Sequence, residues 1–268
     1  MVKKLIKYDF ASYMRLLLPV QLILLGIAAL NRIVQLFENS SDTYNIFFYS
    51  SIVLYVISIS VLMVLTLVVS IVRFYQGMYS SEGYLSHTLP VTPTQHIFSK
   101  LLTTVLFYLG SFLAVFLSFM IVTLGEVNIE LFKAAGYLIG KLSEEVHGHV
   151  VLFAIEFILL ILGSIVGTTL CMYFCISVGQ LAKKRKVLAA FGVYFGLYCI
   201  SQLIGTVIIV IFSALSFQFT VEIAIWISQH TIAFLHIVFC GGFVLQTIIS
   251  LIYFLITRFI MSKKLNLA

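Results

Sequence analysis

Between Ile46 and Val72 the chain runs for 27 residues without one charged side chain. At 1.5 Å per residue a helix of that length reaches about 40 Å, enough to cross the roughly 30 Å hydrocarbon core of a bilayer with some tilt. The pattern repeats. Leu101 to Leu124 is uncharged, Val150 to Leu181 is interrupted only by Glu156 and the polar Gln180, and Val187 to Val221 is uncharged for 35 residues. With 62% hydrophobic and 10% charged residues, against roughly 25% charged in a soluble domain, the chain has too little polar surface to fold around one aqueous core. It reads as an all-α integral membrane protein.

Six spans are predicted, at about 16–37, 46–72, 101–124, 150–181, 187–213 and 231–257, in a single transmembrane domain covering 1–268. Residues 1–15 alternate Lys3, Lys4, Lys7, Asp9 and Arg15 with Leu5, Ile6, Phe10, Tyr13 and Met14. At 100° per residue this is a basic amphipathic helix suited to the headgroup plane, the alternative being a basic tail that only sets orientation. No compact apolar core with a small-residue cleavage site follows it, so the first span is expected to be retained. Pro19 falls in the first turn of that span, where a missing N–H costs least. Residues 125–149 form an outer loop in which Ile129, Phe132, Tyr137 and Leu138 recur at near-helical spacing, predicting a surface helix within Asn128–Leu142. The uncharged run from Val187 exceeds one span, and its excess predicts short re-entrant helices between the fifth and sixth.

Charge sets the orientation. With both termini in the cytoplasm, 13 of the 16 basic residues lie inside and only Arg32, Lys133 and Lys141 outside, a bias far beyond what the positive-inside rule needs. The net charge of +6 is therefore assigned to helix ends and not to a nucleic-acid partner. A multi-pass protein of a bacterial cytoplasmic membrane is the expected localisation.

Motifs for chemistry are few. No G-x-x-x-x-G-K-[ST], H-E-x-x-H or G-x-S-x-G occurs, so no P-loop, zincin site or nucleophile elbow is encoded. Cys171 and Cys175 share a helix face without a His or carboxylate at ligand spacing, and behave as small hydrophobes. Glu144, Glu145, His147 and His149 cluster in the outer loop; a divalent metal is conceivable there, but a solvated acidic loop is the favoured reading, and no metal or cofactor site is assigned. Glu156 is a carboxylate within a span, about two turns from its outer end. It is a candidate for a translocation path or gate, or else a residue solvated near the outer surface. His236, at similar depth in the last span, reads as a satisfied core polar group. Small-xxx-small pairs occur at Gly163/Gly167 and at Gly192/Gly196, the latter continued by Ser201 and Gly205. The second series is predicted to be a packing seam at a dimer interface.

The stretch from Arg73 to Lys100 is a long polar interruption on the cytoplasmic side, carrying two of the three prolines, Pro90 and Pro93. The prolines fix φ and stop helices on either side, and Thr94 is placed to cap a new helix running through Gln95, His96, Ile97 and Phe98 into the third span. Such a loop, clamped at both ends, is suited to transmitting a push.

The same residues carry a family resemblance. The segment from Gly77 to Phe107 contains Glu82-Gly83-Tyr84-Leu85, Thr88-Leu89-Pro90-Val91 and Ser99-Lys100-Leu101-Leu102. It resembles the loop between the second and third spans of bacterial ABC-2 type transporter permeases, and the six-span plan with inner termini fits that family along the whole chain. The resemblance implies a transporter subunit and not an enzyme. Two permease chains, expected as a homodimer, would work with two copies of a separate ABC ATPase that binds ATP and Mg. Glu82, Gly83, Tyr84, Leu89, Pro90, Pro93, Gln95, His96 and Lys100 are then the ATPase-coupling residues. In size the chain resembles permeases that export amphipathic peptides, such as phenol-soluble modulin exporters, or that confer immunity to peptide antibiotics. The alternatives are a stand-alone secondary carrier or channel, and a non-transporting accessory subunit of an immunity complex.

Overall fold

The computed structural model describes residues 2–37, 42–80, 83, 91–146, 148–182, 184–214 and 217–263. Among these there are eight helices and no strand: α1 (Val2–Leu36), α2 (Asp42–Tyr79), α3 (Pro93–Val122), α4 (Glu126–Glu145), α5 (Val150–Gly179), α6 (Lys186–Ala214), α7 (Phe217–Gln229) and α8 (Thr231–Lys263). Six of them, all but α4 and α7, are long and apolar enough to cross a membrane. The protein is an all-helical, multi-pass membrane protein.

The helix ends differ from expectation in two places. Residues 2–15 are not a separate interfacial helix, because α1 continues without a break from Val2 into the span. Pro19 therefore lies in the middle of α1 and not in its first turn. The start of α3 lies two residues earlier than expected. Thr92, not Thr94, is the cap: its hydroxyl accepts from the Gln95 backbone N–H, and the Gln95 side chain accepts from the Thr92 N–H. Pro93 takes the first helical position, where its missing N–H removes a donor that would have had no intrahelical partner.

The chain divides into two compact units, Met1–Lys141 and Leu142–Ala268. In the first, α1, α2 and α3 pack on one another. Apolar side chains gain little by leaving lipid for protein, so helix association depends on close packing and on polar side chains that bond between helices. Unit 1 uses both. The buried residues of α3 are His96, Ile97, Ser99, Lys100, Thr103, Thr104, Phe107, Ser111, Ala114 and Ser118, recurring at each helical turn and mostly small. Cross-helix bonds run along it: the Tyr13 hydroxyl to Thr104 Oγ1 at 2.9 Å, Gln21 Nε2 to Ser111 Oγ at 3.3 Å, Thr66 Oγ1 to the same Ser111 at 2.9 Å, and the Tyr55 hydroxyl to Ser118 at 2.9 Å. Leu24, Ala28, Tyr55, Leu62 and Ala114 fill the space between these bonds.

In unit 2, α5 packs against both α6 and α8. Glycines set the approach. A Cβ on Gly167 would meet Gln246 and would lie 2.9 Å from Ser250 Oγ, one on Gly163 would lie 3.4 Å from the Phe243 ring, and one on Gly179 would lie 2.7 Å from the Ala190 backbone. The Gly163/Gly167 pair is thus a helix-packing motif within the chain.

Candidate functional site

Two places bring chemistry-bearing side chains together. The first is the base of the α2–α3 hairpin. Lys100 Nζ lies 3.1 Å from Asp9 Oδ1, and Ser99 donates its hydroxyl to Asp9 Oδ2 at 3.1 Å, so one carboxylate of α1 holds two successive side chains of α3. The pair is largely enclosed, its side chains 10% and 19% exposed. On the third side stands Gly77 of α2, where a Cβ would collide with the lysine ammonium and lie 2.9 Å from Cε. The absent side chain at 77 leaves room for Lys100 to reach Asp9.

Of the residues assigned to coupling, Glu82, Tyr84, Leu89 and Pro90 lie outside the described residues. Gly83 is buried against α2: its N–H donates to Ser80 O at 2.8 Å, and a Cβ there would lie 2.6 Å from the Met78 carbonyl carbon. Pro93 and Gln95 form the start of α3, both half-buried. His96 and Lys100 face inward and are almost fully buried, so they can act on a partner only by positioning the hairpin. Phe98, next to them and 53% exposed, is the large side chain left at the surface of this turn.

The second place lies in unit 2, near the first turns of α5 and α8. Glu156 Oε1 is 2.7 Å from His236 Nδ1 and accepts from Cys240 Sγ at 3.5 Å. The other ring nitrogen of His236, Nε2, is 3.4 Å from His149 Nδ1. His149 is the N-cap of α5, and its side chain makes no capping bond. Phe153 stacks on the His236 ring at 4.2 Å between centroids, fixing its plane. Glu156 is 17% exposed, and among the described residues nothing bonds to its buried Oε2. His149, His236 and Glu156 thus form a hydrogen-bonded chain from the helix start inward, able to hold or pass a proton. No three His, Cys, Asp or Glu side chains among the described residues are grouped to hold a metal ion.

Glu156 and His236 each stand out in the sequence, but no motif in the sequence pairs them. A usable signal was present: two ionisable residues in otherwise apolar spans, each about one and a half turns from its helix start. In the outer-loop cluster Glu144 is exposed and His149 joins His236, while His147 and the Glu145 side chain lie outside the described residues. Gly192, Gly196 and Gly205 have nothing within 4 Å of an added Cβ among the described residues, so α5 and α8 leave that seam open.

Compared with known proteins, the chain matches no family model, no curated protein and no solved structure.

Proposed function

We propose that this chain is the permease subunit of an ATP-binding-cassette exporter of the ABC-2 type, sited in a bacterial cytoplasmic membrane with both termini inside. The observation that carries this reading is the α2–α3 hairpin. Two spans are joined through a segment whose base is fastened by Asp9, Ser99, Lys100 and Gly77, and whose return helix starts at a fixed capping box. A push on the segment between Tyr79 and Pro93 would enter α3 directly, and would reach α1 through the Lys100–Asp9 pair. The drive is a separate ATPase in two copies, which holds the ATP and Mg. The second permease chain meets this one along the Gly192, Gly196 and Gly205 seam. The 13-residue α7 is about 20 Å long, too short to cross the bilayer, which supports a re-entrant element before the last span. The cargo is an amphipathic peptide or similarly apolar molecule, in keeping with the 15% aromatic content.

The test is co-expression with an ABC ATPase encoded beside it. The two should co-purify, and ATP should drive transport in liposomes. Alanine at Glu82, Leu89 or Pro90 should uncouple hydrolysis from transport while the permease stays folded in the membrane. Unchanged transport in all three variants would remove the loop from the mechanism.

A specific observation also favours a second reading, a carrier driven by protons: the His149–His236–Glu156 chain. Transport by the lone chain in liposomes, driven by a pH gradient and abolished by Glu156→Gln, would establish that reading and displace the first.

A further inference from the structure

The 20-residue α4 lies between two spans, is packed on by none of α1, α2 and α3 beyond stray contacts, and keeps nearly all of its described side chains exposed. Its sequence is sorted into two faces. At 100° per residue, Glu130, Lys133, Tyr137, Lys141 and Glu144 fall within an arc of about 80°. Val127, Leu131, Phe132, Leu138, Ile139 and Leu142 fall in a separate arc of about 140°, and each is more than 40% exposed. A helix with this division, left in water, would expose a broad apolar stripe with nothing to cover it.

The corner that leads into α4 fixes it close to the end of α3. Gly125 turns the chain with φ +110°, a conformation that favours glycine, and a Cβ there would meet Arg32 Nη2 at 3.1 Å. Asn128 reaches back over the corner, donating Nδ2 to Met120 O at 3.1 Å and resting its Oδ1 on the Thr123 hydroxyl. At the other end Gly148, with φ +82°, donates to Ser143 O at 3.1 Å, and α5 begins two residues later. Three residues separate α3 from α4 and four separate α4 from α5, so neither end can stray more than about 15–20 Å from the end of a span.

We infer that α4 is a lipid-bound interfacial helix, lying at the surface of the leaflet where α3 ends, with its Leu131–Leu138 stripe among the upper acyl chains. The occupant of the stripe is the bilayer because the corner holds the start of α4 at that surface, and because α1, α2 and α3 leave the stripe uncovered. Lys133 and Lys141 sit among the acids of the polar face, giving it both signs of charge, so the apolar face supplies the binding and zwitterionic lipid suffices.

The test uses the full chain in phosphatidylcholine liposomes, spin-labelled at single cysteines in place of Leu131, Leu138, Lys133 or Lys141, with the four native cysteines changed to serine. Labels at 131 and 138 should be several-fold more accessible to oxygen than to a water-soluble nickel chelate, with the reverse at 133 and 141. Equal chelate access on both faces would overturn the proposal, as would labels at 131 and 138 that are shielded from both reagents, the signature of a second copy or another protein. If the cysteine-free chain does not fold, Leu138→Trp and Lys141→Trp, each with Trp226→Phe, replace it. Quenching by lipid brominated near the headgroup should be strong for Leu138→Trp and weak for Lys141→Trp, and equal quenching would sink the idea. Neither readout depends on transport, so the result stands apart from the exporter reading.

Discussion

Both units pair two helices that run parallel at a nearly constant sequence offset. Between α1 and α3 the bonded side chains are 90 or 91 residues apart, and between α5 and α8 the acid–base pair is 80 apart. The means of fastening differ. Along α1 and α3 polar contacts recur from Asp9 to Gln21, and α2 adds Thr66 and Tyr55 from the third side. Along α5 and α8 the acid–base contacts gather at one end around Glu156, and beyond it glycines bring the helices together, with a single thiol–phenol bond between Cys171 and Tyr253. Apart from the enclosed Asp9–Lys100 ion pair, a seam of many weak bonds tolerates the loss of one. A seam whose acid–base contacts form a single cluster concentrates its sensitivity there, and its remaining length, closed mainly by shape, resists added volume.

Four substitutions would break or sharpen that contrast, each read as unfolding free energy in detergent or bicelles. The largest effect is expected for Lys100→Met, which leaves the Asp9 carboxylate enclosed without its partner and should cost about 3–5 kcal/mol. The double variant Asp9→Asn, Lys100→Met should recover much of the loss, and a double variant as unstable as the single would mean that Lys100 acts by packing alone. Next comes His236→Leu, which strands the Glu156 carboxylate and should cost about 1–3 kcal/mol, more than Glu156→Gln, which removes the charge and keeps the shape. Gly179→Val drives a side chain into the Ala190 backbone and should cost about 1–3 kcal/mol. The same change at Gly192, which faces open space, should leave the monomer's stability unaltered and weaken only a dimer. The smallest effect is expected for Ser111→Ala, which removes a hydroxyl shared by Gln21 and Thr66. Cross-helix bonds in membranes average about 0.6 kcal/mol and reach about 1.7, so a loss above that range would mean that the unit 1 seam is as concentrated as the one in unit 2.

The six long helices were legible because uncharged runs such as Ile46–Val72 and Leu101–Leu124 admit no other structure. The start of α3 was nearly legible: Thr-Pro-Thr offers two caps, and proline's tolerance for the first helical position decides for Thr92. The boundary expected near residue 15 is absent because a change from mixed to apolar residues alters a helix's surroundings without altering its backbone bonds. The Asp9–Lys100 clamp and the Glu156–His236 pair join residues 91 and 80 apart, so helix register had to be known before either could be seen. Gly77 is the clearest case of an invisible role, since a lysine tip on another helix gives the missing side chain its meaning.

Pro19 gives α1 a property that its neighbours lack. A helix of 35 residues is about 52 Å long, well beyond a hydrocarbon core of about 30 Å, and the excess is taken up by tilting or bending. Bending is easiest at Pro19, which cannot donate to the Arg15 carbonyl and crowds it with its ring. The polar anchors at Asp9 and Tyr13 lie on one side of that point, and the anchor at Gln21 lies on the other. A thinner or thicker membrane would therefore pivot the basic arm about Pro19, and the start of α3 would move with it through Lys100. Bilayer thickness thus has a mechanical route to the hairpin that no ligand needs to open.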